Sequence, residues 1–294
     1  MIRSMLFLPG NTPNMLINGD VLGADAVILD LEDAVSPDEK DAARILVRNA
    51  LGRMGFGCQT VVRINSLDSG LLQKDLEEVV PQKPTALMLP KTAAAADVLE
   101  VDRLVTALEE KHNMETGTIR LIPLLETALG IENAFSIASA SSRVLGLFLG
   151  AEDLSADLRC KRTKEGREID YARHRVVMAA RAAGVEAFDT PFTDVNDDGG
   201  LLEDARYAKS LGFTGKASIS PRHVDGINQV FSPTPADIAY AREVLAVIEE
   251  AKRLGKGAIS LHGKMVDAPI VNRAKQTLEA AVALGLTGGA EDGN

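Results

Sequence analysis

Two carboxylates and one arginine stand where short apolar runs end. Glu126 closes Leu121-Ile-Pro-Leu-Leu125, Asp153 follows Leu147-Phe-Leu-Gly150 after two residues, and Arg63 interrupts Val61-Val-Arg-Ile-Asn65. Paired acids with no Cys or His nearby suit a hard divalent cation such as Mg2+, which takes oxygen ligands and keeps positions for water and a chelating substrate. A general acid/base pair, or salt bridges to Arg63 or Lys91, use the same residues. Arg63 costs free energy to bury without an anion. Its bland role is an ion pair with Glu32 or Glu126, and its functional role is bidentate recognition of a carboxylate or of developing negative charge. In Asp30-Leu-Glu-Asp33, alternation puts Asp30 and Glu32 on one side. Glu32 and Asp33 are read as supporting groups that order metal-bound water or hold Arg63.

What must position these groups is a set of eight short apolar runs: Met5–Pro9, Ala26–Asp30, Thr60–Asn65, Ala86–Pro90, Arg120–Glu126, Val144–Gly150, Glu186–Asp189 and Lys216–Ile219. They are too short for helices and apolar throughout, as strands of a parallel sheet buried on both faces are. Most are separated by helix-like stretches, so the fold class expected is α/β, a (β/α)8 TIM barrel with its site at the C-terminal strand ends. The ring expected there is Asn11, Glu32, Asp33, Arg63, Asn65, Lys91, Glu126, Glu152, Asp153 and Asp189.

Helices are expected from a Ser36-Pro-Asp-Glu39 capping box to about Leu51, and over Leu71–Val80, Ala95–Lys111, Ile131–Ala140, Tyr171–Ala183 and Leu201–Leu211. Gly184 and Gly212 sit at C-terminal caps. Two segments break the alternation. Leu154–Ile169 is polar and gathers Arg159, Lys161, Arg162, Lys164 and Arg167. It reads either as a solvated loop or as a site where Arg159, Arg162 and Arg167 meet the phosphates of an anionic cofactor arm. After Pro221 the chain leaves the barrel pattern, with a long amphipathic helix over Ala236–Leu254 and a last helix from about Pro269 to Leu284. The expected organisation is a catalytic barrel over 1–222 and a C-terminal helical arm over 223–294, with a lid segment at 255–268.

The 294 residues suffice for one barrel and an appendage, and 46% apolar content fits a sizeable core. A formal net charge of −10 argues against nucleic acid as a partner. Cys58 and Cys160 show no metal or redox spacing, and no signal peptide or membrane-length run is seen, so the expected location is cytoplasmic, with no membrane partner. His112, His174, His223 and His262 share no spacing, and no Ser-His-Asp order, P-loop or dinucleotide fingerprint is present.

Ordered pieces along the chain resemble the citrate lyase β-subunit family within the HpcH/HpaI-like, CitE-like group. They are Ser4-Met-Leu-Phe-Leu-Pro-Gly-Asn11, Leu29-Asp-Leu-Glu-Asp-Ala34, Val62-Arg-Ile-Asn65, Leu89-Pro-Lys91, Glu126-Thr-Ala-Leu-Gly130, Gly150-Ala-Glu-Asp153, Gly212-Phe-Thr-Gly-Lys216 and Gly263-Lys-Met-Val-Asp-Ala-Pro269. The resemblance implies a Mg2+-dependent, usually trimeric barrel, with Glu126 and Asp153 as metal ligands and Arg63 at the substrate. It also implies an arm that folds over a neighbour's site, making Asp267 a candidate catalytic residue in trans. At Ile219-Ser-Pro221 many stand-alone relatives carry histidine before the proline; citrate lyase β-subunits tend to lack it.

The implied reaction is cleavage of a citryl thioester, on CoA or on an acyl carrier protein, to oxaloacetate and an acetyl thioester. The implied partners are further copies of the chain and the acyl carrier and transferase subunits. The rivals are a stand-alone malyl-CoA or methylmalyl-CoA lyase, a malate-synthase-like relative, and a non-catalytic subunit that binds thioester carriers.

Overall fold

The structure, a computed structural model, describes residues 1–253 and 260–286. It divides into two compact units, Ile2–Phe231 and a second that begins at Ser232.

The first unit is a closed barrel of eight parallel strands in chain order, β1 pairing with both β2 and β8. The strands are β1 Ser4–Pro9, β2 Ala26–Asp30, β3 Gln59–Arg63, β4 Ala86–Leu89, β5 Arg120–Leu125, β6 Gly146–Leu149, β7 Glu186–Asp189 and β8 Gly215–Ser218. Each expected run overlaps one of them, with β1, β3 and β8 starting one residue earlier than expected. Strand β3 stops at Arg63 because the Asn65 backbone N–H and Nδ2 both donate to Asp75 Oδ2, at 2.9 and 2.7 Å. That pair draws Asn65 away from the mouth.

The helices are α1 Pro13–Asn18, α2 Lys40–Arg53, α3 Leu72–Val79, α4 Ala95–Lys111, α5 Ala128–Glu132, α6 Ala134–Ala138, α7 Ala151–Asp157, α8 Asp170–Ala183, α9 Asp198–Leu211 and α10 Val224–Phe231. Gly184 and Gly212 cap α8 and α9 in the left-handed region, with φ 72° and 108°. The helix expected over Ile131–Ala140 is two short helices, broken at Asn133, whose Nδ2 donates to the Ala93 carbonyl at 2.8 Å. The polar segment expected from Leu154 begins inside α7. Helix α10 belongs to the barrel unit and buries Val224, Ile227 and Phe231.

Strand alternation sorts the core. Met5, Ile28, Val61, Ile122, Phe148 and Phe188 fill the barrel interior, while Leu6, Val27, Val62, Leu121 and Leu147 face the helices. Asp189, one residue beyond inward-facing Phe188, therefore points outward and leaves the expected ring. It is fully buried, holding Arg173 Nε and Nη2 at 3.0 and 2.9 Å and Lys216 Nζ at 2.6 Å; Asp204 takes the same two cations at 2.7 and 2.6 Å.

In the second unit, α11 Pro235–Arg253 packs on α12 Ala268–Ala283 through Ala241, Val244 and Ala274. A hairpin of β9 Ser260–Leu261 and β10 Lys264–Met265 lies between them in sequence. Residues 254–259, which include the end of the expected Ala236–Leu254 helix and part of the expected lid, lie outside the described residues. Among the described residues no helix is long and apolar enough to cross a membrane.

Candidate active site

Arg63 is the last residue of β3 and points inward, in register with Asp30 at the end of β2. Its Nε and Nη2 donate to the two oxygens of Asp30 at 2.7 and 2.5 Å. Nη1 lies 3.2 Å from Glu32 Oε2 and 3.6 Å from Asp33 Oδ2, and the guanidinium sits 5.1 Å above the ring of Phe7. Burial works against this charge, but Asp30, Glu32 and Asp33 outweigh it and shift the pKa upward. The loop carrying Glu32 is pinned from α2, where Lys40 Nζ donates to the Leu31 and Glu32 carbonyls at 2.8 and 2.6 Å.

Glu126 follows β5 and is 3% exposed. Its Oε1 accepts the Lys91 backbone N–H at 2.6 Å. Burial pushes its carboxyl up to about 8; the Lys91 N–H opposes that shift, and the Glu32 and Asp153 charges add to it. Glu32 is buried behind Arg63, with both oxygens lacking a hydrogen-bond partner. Burial raises its pKa too, against the opposing charges of Arg63 and Lys91. Asp153 sits in the first turn of α7, half-buried. Space for Glu126 comes from Gly150, where a Cβ would stand 2.7 Å from Glu126 Cβ and 2.9 Å from Oε2.

Arg63, Asp33, Glu126 and Asp153 line one cavity of about 220 Å³, floored by Phe7, Leu124 and Phe148. Its donor set is hard oxygen, and among the described residues no three Asp, Glu, His or Cys side chains form a complete metal cage. Two carboxylates, one of them a buried acid whose ionisation is resisted, fit a Mg2+ that keeps open positions for substrate and water.

The remaining expected residues have the following surroundings. Asp267 is exposed and caps α12, accepting the Ile270 N–H at 3.2 Å. Arg162 is folded onto Glu168 Oε1 at 2.6 Å, whereas Arg159 and Arg167 are exposed. Glu152 lines the cavity with its side chain largely exposed, and Asn11 Nδ2 donates to Glu39 Oε2 at 2.5 Å. Sequence reasoning missed Phe7 beneath Arg63, which the Met5/Phe7 alternation could have placed. It also missed Thr190, which lines the cavity, and the anchoring role of Lys40. The Lys91 backbone contact had no sequence signal, because Lys91 takes a left-handed backbone, φ 53°, which a lysine in the sequence does not announce.

A family model described as HpcH/HpaI aldolase/citrate lyase matches residues 3–221. A citrate lyase subunit beta of Leuconostoc mesenteroides subsp. cremoris is 43% identical over 95% of this chain and 93% of that protein. An L-malyl-CoA/beta-methylmalyl-CoA lyase of Cereibacter sphaeroides is 35% identical over 95% of this chain and 94% of that protein. The crystal structure of protein CitE from Mycobacterium tuberculosis in complex with magnesium, acetoacetate and coenzyme A is similar with a TM-score of 0.76. It is 34% identical, covering 95% of this chain and 98% of that one.

Proposed function

The chain belongs to the HpcH/HpaI aldolase/citrate lyase family, and on that premise we propose that it is a Mg2+-dependent carbon–carbon lyase that cleaves a citryl thioester to oxaloacetate and an acetyl thioester. The observation that carries this reading is the convergence of Glu126, Asp153 and Arg63 on one cavity at the C-terminal end of the barrel. Glu126 and Asp153 would hold the metal, which when bound supplies Lewis-acid polarisation of the substrate's hydroxyl and carboxylate oxygens.

The chain's own groups do the rest. A base removes the hydroxyl proton, the C–O bond becomes a carbonyl, and the adjacent C–C bond breaks. Its electron pair moves onto the acetyl thioester as an enolate, which a proton then quenches at carbon. Arg63, held rigid by Asp30, places a fixed positive charge beside the developing enolate. Asp267 of a neighbouring copy is the proposed base, which makes the working enzyme an oligomer, with a trimer as the expected form. Arg159 and Arg167 are the residues proposed to meet the phosphates of the thioester arm. Arg162, committed to Glu168, holds the shape of that loop. Whether the arm is CoA or belongs to an acyl carrier protein follows from the partner subunits, which we place with this chain in a cytoplasmic complex by analogy with the citrate lyase relatives.

A second reading, a malyl-type CoA lyase, draws on the 35% identical relative. The two are separated by offering the purified chain citryl-CoA and L-malyl-CoA in parallel with Mg2+. Oxaloacetate release from citryl-CoA supports the first; glyoxylate release from malyl-CoA alone moves the protein to the second. In either case, combining Arg159→Ala with Arg167→Ala should raise KM for the thioester with little change in kcat, and an unchanged KM removes the phosphate assignment.

A further inference from the structure

The cavity is short of positive charge. Asp30, Asp33, Glu126, Glu152 and Asp153 line it, and Arg63 is the one cation among the described lining residues. Arg63 is already committed, with Nε and Nη2 on Asp30 and Nη1 facing Glu32 and Asp33. A dicarboxylic keto acid brings a second, distal carboxylate into this surrounding, and a monocarboxylic one does not. A Mg2+ at Glu126 and Asp153 would serve the carboxylate beside the keto group, so the distal one needs a protein cation of its own.

Lys91 does not itself line the cavity but stands directly beside it, its ammonium next to Glu32 behind Arg63 and its backbone N–H on Glu126, a lining residue. It follows β4, between the strand that ends in Arg63 and the strand that leads to Glu126. Its backbone is left-handed, with φ 53°, a conformation uncommon for residues other than glycine and found where surrounding structure enforces it. The enforcement is visible: the Lys91 N–H donates to Glu126 Oε1 at 2.6 Å. Buried Thr92 fixes the turn, its N–H on the Leu124 carbonyl at 3.3 Å and its Oγ1 on the Leu89 carbonyl at 2.8 Å. Glycine or asparagine would suit this backbone better but would bring no charge. The ammonium lies 3.3 Å from Glu32 Oε1, and the side chain is 49% exposed. An ammonium has three N–H donors, so one such neighbour leaves capacity for another anion.

We propose that Lys91 determines specificity in this site by receiving the distal carboxylate of a dicarboxylic keto acid through its ammonium. The inference rests on the lyase reading above for its substrate class and on the placement of Lys91 beside Glu32 and Glu126 for its residue.

The test uses the full-length chain with saturating Mg2+ and calorimetric titration of oxaloacetate and of pyruvate, in the wild type, Lys91→Met and Lys91→Arg. The expected result is that Lys91→Met weakens oxaloacetate about tenfold more than pyruvate, as loss of one charge-assisted contact does, while Lys91→Arg retains most of the affinity. Mg2+ affinity in Lys91→Met should be unchanged or tighter, because a positive charge has been removed beside the carboxylates. Equal losses for both keto acids, no loss for either, a parallel loss of Mg2+ affinity, or a wild type that binds neither keto acid would each overturn the assignment. Circular dichroism of Lys91→Arg and Lys91→Met checks that the barrel is intact in both.

Thioester cleavage is measured separately. A wild type that cleaves no thioester yet binds oxaloacetate through Lys91 removes the lyase reading and leaves the specificity assignment standing. Cleavage with no discrimination at Lys91 does the reverse.

Discussion

At Gly150 a single absent methyl group decides whether Glu126 reaches the cavity, since a Cβ there would stand 2.7 Å from Glu126 Cβ. Gly150→Ala should therefore displace the carboxylate and weaken Mg2+ about 10- to 100-fold, read by calorimetry, while circular dichroism shows an intact barrel. Glu126 itself carries a pH signature. Its carboxyl is pushed up to about 8 from an ordinary 4.5, chiefly by burial, so the metal-free folded chain keeps a proton that the unfolded chain loses. That group's contribution thus works against the folded state increasingly as pH rises from 4.5 toward 8. Mg2+ displaces the proton, so its affinity should rise between pH 6 and 8 with measurable proton release in buffers of different ionisation heat. No release at pH 7 would show that Glu126 is already ionised before metal arrives. Glu126, Asp153 and Arg63 were legible in the sequence because charged residues at the ends of apolar runs have few other places to go. Asp189 occupied the same kind of position and was misplaced, because which face a strand's last residue takes depends on register, and Phe188 had claimed the interior.

Among the elements, the loop from Cys160 to Ile169 shows how a cluster of charge becomes a built structure. Glu168 accepts the Thr163 N–H at 2.9 Å and its hydroxyl at 2.7 Å, and pairs with Arg162 at 2.6 Å. Burial opposes its ionisation, but these donors outweigh it and hold the carboxyl down to about 2 from 4.5. A depressed carboxylate contributes stability that is complete above its unfolded value and lost as pH falls from 4.5 toward 2. Glu168→Gln should thus speed amide hydrogen exchange of residues 163–168 at pH 7 while leaving the strands protected; unchanged exchange would show that the loop is held by other contacts. Composition revealed the basic cluster but not its internal pairing, because Glu168 and Arg162 find each other only once Gly166 turns the chain at φ 65°. The break at Asn133 was hidden for a similar reason, as its side chain is recruited by the distant Ala93 carbonyl.

For the molecule as a whole, the barrel was readable because eight buried strands must each be apolar on both faces, which leaves an unmistakable rhythm of short runs. What the rhythm concealed was the polar knot among β7, β8, α8 and α9, where Arg173, Asp189, Lys216 and Asp204 form a buried set of two cations and two anions. Lys216→Met would leave two carboxylates to one guanidinium and should cost about 3–5 kcal/mol in denaturant unfolding, as breaking a buried ion pair from one side does. A loss below 1 kcal/mol would mean that one acid is protonated in the fold. On that scaffold Glu126 and Asp153 are the residues proposed to hold a catalytic Mg2+. The most direct measurement is citryl-CoA cleavage, with oxaloacetate reduced by malate dehydrogenase, as Mg2+ is removed with EDTA and titrated back. Activity should vanish, return saturably with Mg2+, and fall by about 10³-fold in both Glu126→Ala and Asp153→Ala. Cleavage that survives EDTA, or that survives loss of both carboxylates, would contradict that assignment.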